Sequence, residues 1–274
     1  GRGVQYTLQE FFRHERDVKK TGLSPGLSGK RVIIQGLGNV GYHAALFLSQ
    51  HDGCRITHVL EREGSIVDPG GVDIAALHEH MIETGDIQDY PGFTESGPEM
   101  LEAEADILIP AAMEGVINQH NAPRIRTPLI IEAANGPVTA PGDAALRGRG
   151  IVIIPDFCAN AGGVTVSYFE WIKNLTHIRF GRIQRRQLEN QFEALIAGVE
   201  SITGTPFPAA HRNEVLSGAT EINLVRSGLE DTMRGAYNAI SATWNETDNV
   251  PDLRTAAMMI AVDRVAQSYI SIGI

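Results

Sequence analysis

Cysteines and long apolar segments are both scarce in this sequence, and each scarcity excludes a class of protein. Cys54 and Cys158 are the two cysteines. They lie far apart in apolar surroundings, which predicts small buried thiols in a reducing compartment such as the cytoplasm. No group of Cys and His has the spacing of a metal site. No apolar run approaches the length of a membrane span, and the first residues lack the charged and apolar regions of a signal peptide.

Basic residues are outnumbered, which argues against a nucleic-acid partner. The 274 residues include 23 Lys and Arg against 33 Asp and Glu, for a formal net charge of −10. Binding to a phosphate backbone needs a basic surface. A solvated or ion-paired face is the expected role of one local basic cluster, with a polyanion site as the alternative. This cluster consists of Arg179, Arg182, Arg185 and Arg186.

The stretch Arg31–Gly41 carries the clearest functional pattern. The β-branched run Val32–Ile34 predicts a strand buried on both faces, and Tyr42–Gln50 continues as a helix. Between them lies a G-x-G-x-x-G pattern. Its first glycine makes the bend, its second lets a pyrophosphate approach, and its third lets the helix pack on the strand. The residues of this predicted phosphate-binding turn are Gly36, Leu37, Gly38, Asn39, Val40 and Gly41.

The position of this turn between a strand and a helix predicts a dinucleotide site. Free N–H groups at the helix start would bind the phosphates. A second strand-like run, Arg55–Leu60, ends at Glu61, which lies 61 − 41 = 20 residues past the last glycine. A carboxylate at that spacing accepts hydrogen bonds from an adenosine ribose. The alternative is a glycine-rich turn that binds no ligand.

Three further strand-like runs bring the predicted strands to five. Strands that alternate with helices predict an α/β fold with a Rossmann-like, doubly wound, mostly parallel sheet. In such sheets the ligand lies at the carboxyl ends of the strands. Loops are expected over Gly64–Gly71 and Gly85–Pro98. The three further runs are Asp106–Pro110, Pro128–Glu132 and Ile151–Pro155.

After Asp156 the pattern predicts helices alone. We expect residues 1–163 to form the Rossmann core and residues 164–274 an all-helical C-terminal extension of one NAD(P)-binding domain. The last helix carries an apolar stripe of Ala256, Met259, Ile260, Val262, Val265 and Ala266, for which ordinary core packing is expected. The predicted helices of the chain are Val4–Lys20, Val72–Glu83, Gly115–His120, a helix from a cap at Thr139 to Leu146, Val164–Leu175, Arg182–Thr203, Ala210–Leu216, Glu221–Asn245 with a break near Gly228, and Asp252–Ser271.

Several segments together resemble the coenzyme-binding domain of the glutamate/leucine/phenylalanine/valine dehydrogenases, and the resemblance covers essentially the whole chain. PDFCANAGGVTVSYFEW at Pro155–Trp171 is specific enough to identify the family. SYFEW, followed by HIRFGR at His177–Arg182, points to the glutamate branch. The other segments are GRGV at Gly1–Val4, QGLGNVG at Gln35–Gly41, ADILIPAAMEGVIN at Ala105–Asn118, IIEAANGPVT at Ile130–Thr139 and DLRTAAMMIAVDRVA at Asp252–Ala266.

The resemblance implies which residues bind the cofactor. Gly36–Gly41 would hold the pyrophosphate, and Glu61 would favour NAD, with NADP as the alternative. Ala111 and Ala112 would line the nicotinamide ribose. Asn135 would lie beside the nicotinamide; from the residues alone, the alternative is a turn former.

The resemblance also implies a substrate site for L-glutamate and 2-oxoglutarate. Asn160 would touch both the nicotinamide carboxamide and the substrate. Val164 would form a wall of the side-chain pocket, and Ser167 would bind the distal carboxylate. From the residues alone, Asn160 is alternatively a helix cap and Ser167 an exposed helix residue.

Catalysis in this family needs residues that the sequence does not contain in recognisable form. The family's catalytic lysine, in a PxGGxKG segment, and its catalytic aspartate belong to an N-terminal substrate domain. No lysine here has such flanking glycines, and the chain begins, without Met, at the GRGV where the coenzyme domain starts. The four lysines are Lys19, Lys20, Lys30 and Lys173.

We therefore expect the substrate domain to be absent and the chain alone to be inactive. The chain would begin inside a longer reading frame or would have been processed. The complete enzyme would be a homo-oligomer that oxidatively deaminates L-glutamate by hydride transfer. Two alternatives stay open: a stand-alone dinucleotide-binding regulatory module without catalysis, and a dehydrogenase for another amino acid.

Overall fold

The computed structural model describes residues 1–176, 182–208, 211–212 and 221–273, without the side chains of residues 173, 176, 182–190 and 221. Two compact units are formed, one by Gly1–Gly163 with Met233–Ile274 and one by Val164–Thr232. Arg179 and most of the helix predicted over Ala210–Leu216 lie outside the described residues. So do the side chains of the other arginines in the basic cluster. The predicted domain organisation stays a prediction.

The first unit is built on a seven-stranded sheet. Its strands are β1 (Arg31–Gln35), β2 (Arg55–Leu60), β3 (Ser65–Val67), β4 (Phe93–Thr94), β5 (Ile107–Pro110), β6 (Leu129–Ile131) and β7 (Val152–Ile154). Their order in the sheet is β4-β3-β2-β1-β5-β6-β7. The five predicted strands β2, β1, β5, β6 and β7 run parallel, so the predicted mostly parallel α/β sheet is confirmed.

Strands β3 and β4 lie where the sequence predicted loops, and the two loop predictions are wrong there. Both strands pair antiparallel at one edge of the sheet, β3 with β2 and β4 with β3. They have three and two residues, which is too short for an alternating pattern to show. The pairing of β3 depends on the finished edge of β2, and the pairing of β4 depends on β3, rather than on their own sequences.

Ten α-helices are described. They are α1 (Arg2–Arg13), α2 (Glu15–Thr21), α3 (Asn39–Asp52), α4 (Ile74–Thr84), α5 (Ala140–Gly148), α6 (Asp156–Ala159), α7 (Ala161–Thr176), α8 (Arg182–Thr203), α9 (Glu221–Glu246) and α10 (Leu253–Ile272). The side chain of Thr139 accepts a hydrogen bond from Gly142 N–H at the start of α5, so the predicted cap is confirmed. Within the described residues, no helix combines the length and the apolar character that crossing a membrane requires.

The single helix predicted over Val4–Lys20 is interrupted at His14, where the backbone is extended (φ −89°, ψ 91°). The His14 ring contacts the α9 side chains of Asn238 (2.7 Å) and Ser241 (3.3 Å). These contacts come from residues more than 200 positions away. Tertiary packing therefore overrides a local pattern that favoured one helix.

The short helix predicted over Gly115–His120 is also wrong. Ile117 forms a parallel bridge with Val138 and is fully buried. Its N–H donates to Pro137 O, and its carbonyl accepts from Thr139 N–H, both at 2.9 Å. The buried backbone is thus satisfied by a neighbouring segment, which leaves no helical hydrogen bond to form.

The break predicted near Gly228 does not occur, because α9 is continuous. A Cβ placed on Gly228 would come within 3.2 Å of the Phe169 ring. The glycine therefore permits close packing of an aromatic ring on the helix surface, and it does not end the helix.

Apolar side chains cover both faces of the sheet. On β1, Val32 and Ile34 belong to one core, and Ile33 belongs to the core on the opposite face. Both cysteines are buried and free, as predicted, and burial raises the pKa of each thiol to about 12.

Only the first part of the apolar stripe on α10 is packed in the core, so the prediction of core packing is wrong for the rest of the stripe. Ala256 is fully buried, whereas Met259, Val262 and Val265 are 44%, 63% and 58% exposed. Every residue from Ala261 to Gly273 is exposed. A helical pattern shows that one face is apolar, but it does not show where along the helix the covering elements stop.

Candidate functional site

The strand order of the sheet reverses at one point, between β1 and β5. From β1 the chain moves to β2 on one side and later returns to β5 on the other side. Gln35 O, at the end of β1, accepts a hydrogen bond from Ala111 N–H (2.8 Å) at the end of β5. The crevice beyond two such strand ends is where open α/β sheets bind ligands.

The glycine turn occupies this crevice. Gly36 has φ +89°, and a Cβ on it would lie 2.8 Å from the Cβ of Ala112. A Cβ on Gly41 would overlap the carbonyl oxygen of Gly36. The first glycine thus makes the turn, and the third brings α3 against the end of β1.

Gly38 differs from these two glycines, because a Cβ on it would meet no protein atom within 4 Å. Nothing in the fold requires a glycine at this place. It directly precedes α3, and no side chain caps that helix at Gly38. Open space before the N–H groups of a helix start fits an anionic group such as a pyrophosphate.

Glu61 follows β2 and reaches the same turn. Its carboxylate accepts a hydrogen bond from Leu37 N–H. Burial raises the pKa of Glu61, with the neighbouring Glu63 adding to the effect, while the bond from Leu37 and the charge of Arg62 oppose it. The Arg62 side chain is 92% exposed and pairs with Glu63 at 3.0 Å.

Two amides meet at the ends of β6 and β7. The Nδ2 group of Asn160 donates to Oδ1 of Asn135 (2.6 Å). It also lies 3.5 Å from the carbonyl oxygen of Ala134. Two residues selected from separate segments of the sequence are therefore neighbours, and both retain exposed surface.

A buried ionic group lies directly behind these amides. The side chain of Glu132 is 0% exposed and pairs with Arg254 at 2.8 Å. Burial raises the pKa of Glu132, and the charge of Arg254 opposes that rise. Asp156 N–H donates to Glu132 (2.8 Å). The sequence gives no signal for this group, since Glu132 and Arg254 are 122 residues apart and no local spacing connects them.

The two residues expected to contact only the substrate belong to the second unit. Val164 is 73% exposed on α7, and Ser167 on the same helix is exposed too. Both side chains are accessible within that unit. Their roles stay predictions, as do the roles assigned to the residues of the first unit.

Comparison with known proteins identifies the relatives of this chain. Residues 1–204 match the sequence profile of the Glutamate/Leucine/Phenylalanine/Valine dehydrogenase family. The chain is 46% identical to a probable glutamate dehydrogenase of Sinorhizobium fredii, over 97% of the chain and 60% of that protein. It is 45% identical to the mitochondrial glutamate dehydrogenase of Dictyostelium discoideum, over 100% of the chain and 54% of that protein. The chain thus spans little more than half the length of these relatives.

Solved structures show the same fold. The structure of hetero-hexameric glutamate dehydrogenase from Thermus thermophilus superposes with a TM-score of 0.72 at 24% identity. The match covers 100% of this chain and 54% of that one.

Proposed function

The chain belongs to the glutamate/leucine/phenylalanine/valine dehydrogenase family, and we propose that it is the coenzyme-binding part of a glutamate dehydrogenase. The observation that carries the proposal is the glycine turn at the reversal point of the sheet. Gly36 and Gly41 are fixed there by the fold, while Gly38 faces open space. No protein contact explains the glycine at position 38. A ligand that approaches the backbone to van der Waals distance explains it best.

The proposed reaction converts L-glutamate, water and oxidised dinucleotide into 2-oxoglutarate, ammonium, reduced dinucleotide and a proton. The dinucleotide, when bound, supplies the hydride acceptor. Leu37, Asn39 and their neighbours in the turn would bind the pyrophosphate through backbone N–H groups. Asn135 and Asn160 would orient the nicotinamide by hydrogen bonds, so that one ring face meets the substrate.

We propose NAD as the preferred cofactor. Glu61 lies beside the turn, where a carboxylate accepts hydrogen bonds from ribose hydroxyls and repels a 2′-phosphate. Arg62 is the residue that could favour NADP through that phosphate. Its exposed pairing with Glu63 supports the choice of NAD.

We propose L-glutamate as the substrate on the strength of Ser167, whose hydroxyl would donate to the distal carboxylate. An amino acid with an apolar side chain would leave that hydroxyl without a partner, so it would bind less well. We further propose that the full protein is a homo-oligomer. The Thermus protein is a hetero-hexamer, so it supports an oligomer but not identical subunits. Light scattering of the purified protein measures the mass of the assembly directly.

The proposed function is tested with the full protein. NADH fluorescence measures dinucleotide binding, and absorbance in the presence of glutamate and NAD measures turnover. Binding with glutamate turnover supports the proposal. Binding without turnover of any amino acid would favour a regulatory module, and turnover of another amino acid only would reassign the substrate.

A further inference from the structure

Asp156 connects the two segments that carry the paired amides. Its Oδ2 accepts a hydrogen bond from Gly136 N–H (2.8 Å), next to Asn135 in the turn after β6. Its Oδ1 accepts from Phe157 N–H (2.9 Å) at the start of α6. One carboxylate therefore joins the turn after β6 to the helical segment that ends at Asn160.

Asp156 is itself held in place by Glu132 and Arg254. Glu132, at the end of β6, accepts the Asp156 N–H with one carboxylate oxygen and an Arg254 N–H with the other. Arg254 also approaches Oδ1 of Asp156 at 3.6 Å and contacts Asp143 at 3.4 Å. Because Glu132 is fully buried, its charge needs these partners, and removing one would leave an uncompensated charge. The group therefore has little freedom to rearrange.

The adenosine end of the site depends on other contacts. Glu61 is fixed through Leu37 N–H, and the glycine turn is packed against the residues after β5. The Asp156 group thus supports one end of the predicted dinucleotide site, while these contacts support the other end. Side chains that bind a ligand in a defined orientation depend on such supporting hydrogen bonds.

We propose that Asp156, held by Glu132 and Arg254, is a positioning residue that sets the geometry of Asn135 and Asn160 toward the nicotinamide. The inference rests on the proposed function, because it assumes a dinucleotide in the crevice. It adds that separate groups of the protein position the two ends of that ligand: the Asp156 group the nicotinamide end, and Glu61 with the glycine turn the adenosine end. A change at Asp156 then affects nicotinamide binding and leaves adenosine-diphosphate binding intact.

The test compares two ligands on three forms of the full protein. NADH carries the nicotinamide, and ADP-ribose carries only the adenosine, pyrophosphate and second ribose. Asp156→Asn keeps the size of the side chain but removes its charge and one strong acceptor. Asp106→Asn is the matched control, because Asp106 also pairs with an arginine (Arg31, 3.2 Å) and accepts a backbone N–H (2.7 Å), at the amino ends of the strands.

Calorimetric titration gives the two dissociation constants for each form. For Asp156→Asn we expect NADH binding to weaken about tenfold, as for the loss of one charge-assisted hydrogen bond. ADP-ribose binding should stay within about twofold, since the two ends are separate sites. The fluorescence enhancement of bound NADH should fall with the Asp156 change and not with the Asp106 change. Arg254→Lys keeps the charge but loses the forked contacts, so it carries the same test if Asp156→Asn does not fold.

Three results would overturn the inference, and they can be told apart. Equal weakening of NADH and ADP-ribose would show a general structural role for Asp156. Dissociation constants equal to wild type for both ligands, in both the Asp156 and the Arg254 variant, would show no role at all. A wild-type protein that binds neither ligand would overturn the proposed function together with the inference.

Discussion

Glu61, after β2, accepts a hydrogen bond from the backbone N–H of Leu37 in the glycine turn. This contact places a carboxylate beside the predicted phosphate site before any ligand is considered. It also holds the carboxylate next to the turn, where the adenosine ribose of a dinucleotide would lie. The choice between NAD and NADP can therefore be tested on one side chain.

Glu61→Gln should lower the preference for NAD over NADP. The glutamine oxygen can still accept the Leu37 N–H, so the turn is preserved while the charge that repels a 2′-phosphate is lost. We expect the ratio of the two affinities to shift by about tenfold, the effect of one charged hydrogen-bond partner. Calorimetry with both cofactors measures the ratio. Glu104→Gln, at the amino ends of the strands, is the control, and an unchanged ratio for Glu61→Gln would refute the role.

The preference for NAD should also weaken in mild acid. The pKa of Glu61 is raised, chiefly by burial, so this carboxyl takes up its proton at a higher pH than an exposed glutamate does. A neutral Glu61 no longer repels the 2′-phosphate, and the NAD preference should fall as the pH decreases through the raised pKa. Affinities measured between pH 8 and about pH 5 give the profile. The Glu61→Gln variant should keep only the pH dependence of the 2′-phosphate itself, whose second pKa is about 6. An identical profile in both proteins would assign the whole change to that phosphate or to another group.

Ser167→Ala should raise KM for glutamate in the full protein. A hydroxyl bound to a charged carboxylate is worth about 1.5–3 kcal/mol, and its loss should change kcat little. Asn174→Ala, at another exposed position of α7, should leave KM unchanged. Glutamate kinetics equal to wild type in Ser167→Ala would leave the serine as an ordinary helix residue.

Tyr237→Phe should destabilise the protein. Asp17 is fully buried and accepts hydrogen bonds from Tyr237 (2.7 Å), Ser241 (2.6 Å) and Asn245 (2.7 Å). Loss of one donor to a buried carboxylate costs about 1.5–3 kcal/mol of unfolding free energy. Urea denaturation measures it. The Tyr90 hydroxyl makes a longer and exposed hydrogen bond, so Tyr90→Phe should lower the unfolding free energy much less. Equal decreases in the two variants would show that the buried carboxylate is not the cause.

The parallel strands and the glycine turn were predictable because their signals are local. Each strand is a short apolar run, and parallel strand ends meet at one edge of a sheet, so the turn, Glu61 and the paired amides could be expected near one another. The break at His14 and the group around Glu132 depend on partners far along the chain. No local spacing encodes those contacts, so they appear only in the folded molecule.

NADH titration of the Gly38→Ala variant of the full protein tests whether the glycine turn holds the dinucleotide. A Cβ at this position meets open space, so the unfolding free energy should stay within about 1 kcal/mol of wild type. If a pyrophosphate occupies that space, the added methyl group should weaken NADH binding at least about tenfold. A stable variant that binds NADH as tightly as the wild type would contradict the claim that this turn holds the dinucleotide.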